Sequence, residues 1–486
     1  MELIIVGSGV SGLASAIRQA RKGYKVKVLD QNYTYGGKMG EITSNGFRFD
    51  TGPSLFTMPN YVTKLLDDKY KREFQYTKLN HLCTYFFPDK TKFVAKSDLN
   101  TFLDEASKFF ETPRSKIEKF LRNSENIYEL TAPIFLQNSL HKRKTYLSKK
   151  GLKGILNLWR IDMFKTMNKK SEELFINEKL IQLFNRYATY NGSNPYVAPA
   201  TLHVIPHLEF KYGAYMPKNG IREIANILYK QALALGVEFR FNTKVTGSNI
   251  DNSKINSVET HKGEKFVCDF LISAVDAKIT YKNILKHKLP QKLLNAENSS
   301  SALIFYWGIG KVLPEIDIHN IFFSNDYRQE FDSIFNSQKI QDDPTIYIHT
   351  TQPINDDDAP KGKQNWFVMI NTGYNRGQNW DELVKEARKK IIHKISNHLG
   401  EELEKLIETE EILSPILIEH KTGSNKGSLY GSSSNNRMSA FFRQANFSKD
   451  IKNLYFCGGS VHPGGGIPLC LLSASIVDKL IPNANR

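Results

Sequence analysis

An α/β fold is expected, with one domain assembled from segments that lie far apart in the chain, and three observations predict it. A glycine-rich turn, Gly7–Gly12 (GSGVSG), stands between an apolar run and a helical pattern at the start of the chain. A second glycine cluster near the other end, within Leu454–Ala474 (LYFCGGSVHPGGGIPLCLLSA), again separates an apolar run from a helical one. Between them the alternation of strand and helix lapses near residue 80 and resumes near residue 215, so the first, middle and last segments have to meet in one sheet. At 486 residues the chain is also too long for a single simple core, and about two to three domain-sized units are expected.

Taken in order, Leu3-Ile4-Ile5-Val6 reads as a buried parallel strand, apolar on both faces. Gly7, Gly9 and Gly12 follow at GxGxxG spacing, with Val10 and Ser11 completing the turn, and Leu13–Lys22 is helical. Gly7 permits the tight turn, Gly9 lets the backbone approach a pyrophosphate, and Gly12 lets the helix pack on the strand, so that the helix N-terminus faces the phosphates. Gly23 ends the helix, Lys25–Leu29 is the second strand, and Asp30 closes it where a carboxylate receives ribose hydroxyls. That much leaves NAD and FAD both open. Gly36-Gly37-Lys38 favours FAD, because flavoproteins of this class carry a second glycine pair just past the ribose carboxylate; alone, the same pair is an ordinary β-turn. Gly46–Ser54 is an alternating strand ending in the Gly52-Pro53-Ser54 turn, a rigid loop suited to lie against a ring system.

From about residue 80 to 214 the chain turns helical, basic and aromatic. Gly151–Lys170 reads as an amphipathic helix with Leu152, Ile155, Leu156, Trp159, Met163 and Met167 on one face. With Lys142, Arg143, Lys144, Lys149 and Lys150 upstream it suits a membrane surface; the same stripe also suits a lid helix packed on a core. After a turn at Pro217–Gly220, a helix runs to Leu235 and Gly236 ends it. Strands are expected over Val237–Val245, with Val245 placed to offer its backbone to an adenine, and over Lys265–Ala274. Strands at Ser301–Gly308 and Asn365–Asn371 and a charged helix at Trp380–His398 follow. The expected division is 1–80, 215–290 and 436–486 for the nucleotide domain, and 81–214 and 291–435 for a second, α+β domain with a helical lid.

Composition narrows the class. The net charge of +16 calls for an anionic partner. No zinc-finger, RRM or helix-turn-helix signature accompanies it, which argues against nucleic acid and for a membrane surface. The four cysteines, Cys83, Cys268, Cys457 and Cys470, form no CxxC pair and are expected to be reduced, in a cytoplasmic protein peripheral to the cytoplasmic membrane. A secretory leader is not expected, because Leu3–Val6 already belongs to the nucleotide fold. No metal is expected: Asp356-Asp357-Asp358 reads as a solvated turn, and Pro206 disrupts the helix that His203 and His207 would need.

With these pieces in hand, the whole chain resembles the bacterial phytoene desaturase family of FAD-dependent carotenoid desaturases and isomerases. The matching segments are Gly7–Gly12, Gly36-Gly37, Phe49–Ser54, Arg186–Thr201 (RYATYNGSNPYVAPAT), Tyr215–Gly220 and Gly458–Ala474, the last being closest to a family signature. Asp50–Pro59 (DTGPSLFTMP) is most similar to the branch that desaturates 1-hydroxycarotenoids at C3–C4. Asp30 stands where the family usually has Glu and Lys38 where it often has Arg; either should still bind FAD. The resemblance implies a Rossmann-like FAD domain of the flavin amine oxidase and GDP dissociation inhibitor type. It implies FAD contacts at Gly7, Gly9, Val10, Ser11, Gly12, Asp30, Gly37, Lys38, Gly52, Pro53, Ser54, Val245, Ala274, Gly459, Gly466, Ile467 and Pro468. A helix starting after Gly464–Pro468 would direct its positive end at the flavin, and the substrate would be a long polyene taken from the bilayer. Arg186 and Tyr190 are the candidates for a catalytic role, with structural hydrogen bonding as their alternative. Rival readings are a phytoene desaturase, a redox-neutral carotenoid cis-trans isomerase, a flavin amine oxidase, and a non-enzymatic prenyl-binding protein on the same fold.

Overall fold

The computed structural model describes residues 1–148, 157, 162, 164–337, 339–436, 439 and 443–484. Its parallel sheet takes strands from both ends and the middle of the chain, in the order Leu454–Phe456, Phe270–Ser273, Glu2–Val6, Lys25–Leu29, Glu238–Arg240. The central strand, Leu3 to Val6, is buried throughout, as a strand covered on both faces must be. Helix Val10–Arg21 packs between Ile467–Leu480 and Arg222–Ala234. It ends in a left-handed Gly23 (φ 86°), a conformation in which a Cβ would be strained.

Two expected strands are each divided. Val237–Val245 breaks at Asn242 (φ 49°), so that Glu238–Arg240 joins the parallel sheet while Val245–Asp251 opens a separate three-stranded antiparallel sheet. Lys265–Ala274 divides in the same way. Lys265–Val267 pairs with Lys254–Thr260, Cys268 still bonds to the Asn256 carbonyl, and Asp269 crosses over to the Glu2 carbonyl of the parallel sheet. In both cases one apolar run serves two sheets, and a periodicity argument cannot see the crossing point.

The second lobe is built on a seven-stranded mixed sheet ordered Ile407–Leu413, Ser301–Ile309, Gln364–Thr372, Ile346–His349, His319–Phe322, His81–Phe86, Lys92–Lys96. Its faces follow the two-residue period. Leu303, Phe305 and Trp307 pack with Ala387, Ile391 and Ile395 of helix Trp380–Leu399. Ile304 and Tyr306 point the other way, toward a large cavity. Helices Arg114–Thr131 and Val204–Tyr212 pack together on the far side of that cavity.

Most of the expected amphipathic helix Gly151–Lys170 lies outside the described residues. The part that is described does not continue as one helix. Asp162 is left-handed (φ 50°), Thr166 is extended, and a new helix starts at Met167 with the Thr166 side chain accepting from the Lys169 N–H. Met167 is fully buried, so it belongs to the core. No helix among the described residues is long and apolar enough to cross a membrane. Asp358 also departs from expectation. Rather than being solvated it is buried, accepting from Thr351 and lying 3.5 Å from Arg48, because strand Phe47–Asp50 folds onto the second lobe and carries Arg48 with it.

Candidate active site

A single cavity of about 1410 Å³ runs between the two lobes, larger than the ~300–1,000 Å³ that holds an ordinary small ligand. One half is lined by the glycine turns. Every residue put forward above for FAD or catalysis lines the cavity except Gly12, which packs so closely on Gly7 that an added Cβ would overlap the Gly7 carbonyl oxygen. Gly9 is the opposite case: a Cβ there meets nothing within 4 Å, so the position is open for a ligand rather than for packing.

The turn is held from several sides. Asp30 Oδ2 accepts from the Ser8 N–H (2.7 Å) and the Ser8 hydroxyl (2.6 Å), and Oδ1 accepts from the Asn32 N–H (2.8 Å). Arg222 donates to the Tyr35 and Met39 carbonyls at 2.5 and 2.9 Å, and at Gly36 (φ 106°) a Cβ would press on that guanidinium. Asp50 accepts from the Ile221 and Arg222 N–H groups (2.9 and 3.2 Å), which fixes the start of the Gly52-Pro53-Ser54 loop against the same helix. Gly459, Gly466, Ile467 and Pro468 bring the N-terminus of helix Ile467–Leu480 to the same cavity, which Val245 also lines, and Ala274 packs on Gly7.

Two buried cations face this half. Lys38 Nζ donates to the Leu429 carbonyl at 2.7 Å, and burial lowers its pKa, partly offset by Asp276. Arg443 donates to the carbonyls of Tyr430 (3.0 Å), Gly459 (3.2 Å) and Ser432 (2.6 Å), and burial pushes it down to about 10. Among the described residues neither forms an ion pair. Positive charge without a direct ion-pair partner, beside a helix N-terminus and open glycines, suits a bound pyrophosphate and an electron-accepting ring. The residues fit FAD.

The other half is lined by Met58, Tyr61, Leu82, Tyr128, Leu136, Val204, Ile205 and Leu208, an apolar channel interrupted by a buried polar cluster. Arg186 Nη2 lies 3.2 Å from Glu209 Oε2, both side chains being about 5% exposed or less. Tyr187 and Tyr190 each donate to Glu209 at 2.6 Å, and Arg186 Nη1 donates to the Tyr190 hydroxyl at 2.8 Å. The guanidinium lies 4.1 Å from the centroid of the Tyr187 ring, and its Nε has no hydrogen-bond partner among the described residues. Burial opposes the Arg186 charge, yet Tyr187, Tyr190, Tyr85 and Glu209 outweigh it and raise its pKa. Further along, Ser54, Tyr347 and His319 form a hydrogen-bonded chain in the wall.

Glu209, His319, Tyr347 and Arg443 were not singled out from the sequence. An acid inside the apolar helix VIPHLEFKY and a histidine opening the apolar strand HNIF are the signals that were available; Arg443 offers none. Cys83, Cys268 and Cys457 are buried and Cys470 half-buried, all as free thiols.

The family profile described as flavin containing amine oxidoreductase matches residues 10–477. The chain is 47% identical to the 1-hydroxycarotenoid 3,4-desaturase of Flavobacterium sp., covering 99% of each chain. It is 30% identical to the phytoene desaturase of Fusarium fujikuroi, over 99% of this chain and 89% of that one. A solved putrescine oxidase variant superposes with a TM-score of 0.67 at 12% identity over 98% of each chain, a likeness of fold alone.

Proposed function

Because the chain belongs to the flavin containing amine oxidoreductase family and is an FAD-dependent oxidoreductase, we propose that it introduces the C3–C4 double bond into the acyclic end of a 1-hydroxycarotenoid. The observation that carries this reading is the two-part cavity, a dinucleotide cradle opening into an apolar channel that holds a buried polar cluster. The whole-length likeness to a 1-hydroxycarotenoid 3,4-desaturase supports it.

Bound FAD supplies the hydride acceptor. The protein's own residues supply the rest. Gly7, Gly9, Val10, Ser11 and Gly37 form the pyrophosphate cradle, Gly12 keeps the helix close enough to complete it, and Asp30 takes the ribose. Gly52, Pro53 and Ser54 form a loop in the cavity wall that would hold the ring. The N-terminus of helix Ile467–Leu480 favours negative charge by about 0.3–1 kcal/mol, up to ~2 when partly buried, and Lys38 and Arg443 add to it. The apolar wall excludes water from the polyene. The second hydrogen leaves carbon as a proton. Glu209 shares its helix with the channel residues Val204, Ile205 and Leu208, and we assign it as the group that receives that proton, held in place by Arg186 and Tyr190.

A polyene gains little by leaving lipid for an apolar channel, so the enzyme has to collect it at the bilayer. Exposed Leu147 beside Arg143 and Lys144, together with the +16 charge, supports a peripheral docking face there. We read the three segments that share the parallel sheet as the FAD domain and the remainder as the substrate domain. Supplying hydroxylated and unhydroxylated carotenoids separately and following the absorption maximum tests the reading. A red shift with the hydroxylated substrate supports it; conversion of phytoene, or an isomerised product alone, would replace it with one of its rivals.

A further inference from the structure

His319 opens strand His319–Phe322, is 4% exposed and lines the cavity. Its two ring nitrogens are used unequally. Nδ1 lies 2.7 Å from the Tyr347 hydroxyl, and that hydroxyl donates its proton to Ser54 Oγ at 2.8 Å. A phenol that has given its proton away can only accept, so Nδ1 carries the hydrogen. Burial, with His349 and Arg186 nearby, keeps the ring neutral, and Nε2 is therefore a bare lone pair. Nε2 is buried and has no hydrogen-bond partner among the described residues. The His349 ring stacks on it at 4.8 Å but directs its own Nδ1 to the Ile318 carbonyl, so it offers His319 no proton. A buried acceptor left unpaired is costly, and on a residue that lines the cavity it is a place for a ligand's donor.

A carotenoid end is hydrocarbon apart from its tertiary alcohol, which is the one donor such a substrate can offer. We propose that His319 Nε2 accepts the hydrogen bond of the substrate's 1-hydroxyl, so that the chain Ser54–Tyr347–His319 sets the distance between that hydroxyl and the loop beside the flavin. This rests on the reading above. Recognition then depends on the O–H bond rather than on the oxygen. A 1-methoxy end has the same oxygen and no donor, and it leaves Nε2 as unpaired as a plain hydrocarbon end does. An acceptor-only site rejects both.

The test uses the FAD-loaded enzyme with three substrates that differ only at C1: hydroxy, methoxy and unsubstituted. Wild type is expected to prefer the hydroxy end over each of the others by about 10- to 100-fold in kcat/KM, the range of one buried hydrogen bond. Equilibrium binding, read by quenching of tryptophan fluorescence by the polyene, should rank the three in the same order. In His319→Phe the hydroxy-to-methoxy ratio should collapse to within about threefold of unity, whatever the absolute rate. A ratio unchanged in the variant overturns the assignment, and so does a wild type that takes the methoxy end as readily as the hydroxy end; the second arm needs no variant to fold. If wild type fails to form the C3–C4 bond in the hydroxylated substrate at all, the proposed function falls and this inference with it. Conversion without discrimination removes His319 alone.

Discussion

Replacing Glu209 by Gln should destabilise the folded enzyme far more than the loss of one surface charge would. Glu209 and Arg186 lie 3.2 Å apart in the cavity wall, each about 5% exposed or less, and the same carboxylate accepts from Tyr187 and Tyr190. The amide keeps the shape and one acceptor oxygen but leaves the guanidinium buried without a counter-ion. Removing one partner of a buried pair costs about 3–5 kcal/mol. An unfolding entropy of about 2.1 cal/mol/K per residue over the 486 residues makes 1 kcal/mol worth about 1 °C, so the expected fall in Tm is about 3–5 °C by calorimetry. The double variant Arg186→Met with Glu209→Gln removes the stranded charge as well and should recover about half of that loss or more. A Tm within about 1 °C of wild type for Glu209→Gln, or strictly additive losses in the double variant, would refute the idea that the pair is coupled.

Other expected outcomes separate packing from binding. Gly9→Val should fold but purify colourless, since its side chain enters open cavity, whereas Gly12→Val should fail to give soluble protein because the Gly7 carbonyl already fills the space; absorbance and solubility together check both. His203 is buried against Phe120, and burial lowers its pKa to about 3. Only the unfolded chain takes up a proton below the ordinary value of 6.5, so stability is complete above that pH and falls as pH drops toward 3. His203→Phe should therefore lose about 1.4 kcal/mol per pH unit less than wild type between pH 6 and 4, and parallel Tm-against-pH curves would exclude this. Binding to anionic vesicles should weaken as salt shortens the screening length below ~10 Å. Replacing Arg143 and Lys144 by Gln should weaken it further by up to about 1 kcal/mol per charge, and salt-independent binding would remove the docking face.

The parts of the fold legible in the sequence are those fixed by local chemistry. Glycines at Gly7, Gly12 and Gly23, the acid closing the second strand and the glycine-proline start of the last helix each act within a few residues, and spacing alone reveals them. Arg186 and Tyr190 were visible as polar residues in an aromatic segment, but Glu209, which binds both, lies on another helix and no local pattern links them. Asn242 and Asp269 mark where the chain leaves one sheet for another, a choice made by hydrogen-bond partners distant in sequence. Asp358 looked solvated because its neighbours are charged; Arg48 reaches it only after the two lobes meet.

The central claim is that two hydrogens leave the substrate and that the flavin takes the electrons. An anaerobic single turnover tests it directly: the FAD-loaded enzyme is mixed with a 1-hydroxycarotenoid without any other oxidant, and flavin bleaching and product are counted together. One flavin bleached for each C3–C4 double bond formed, in a product lighter by two hydrogens, is the predicted result. A product of unchanged mass with the flavin still yellow would contradict it and make the protein an isomerase.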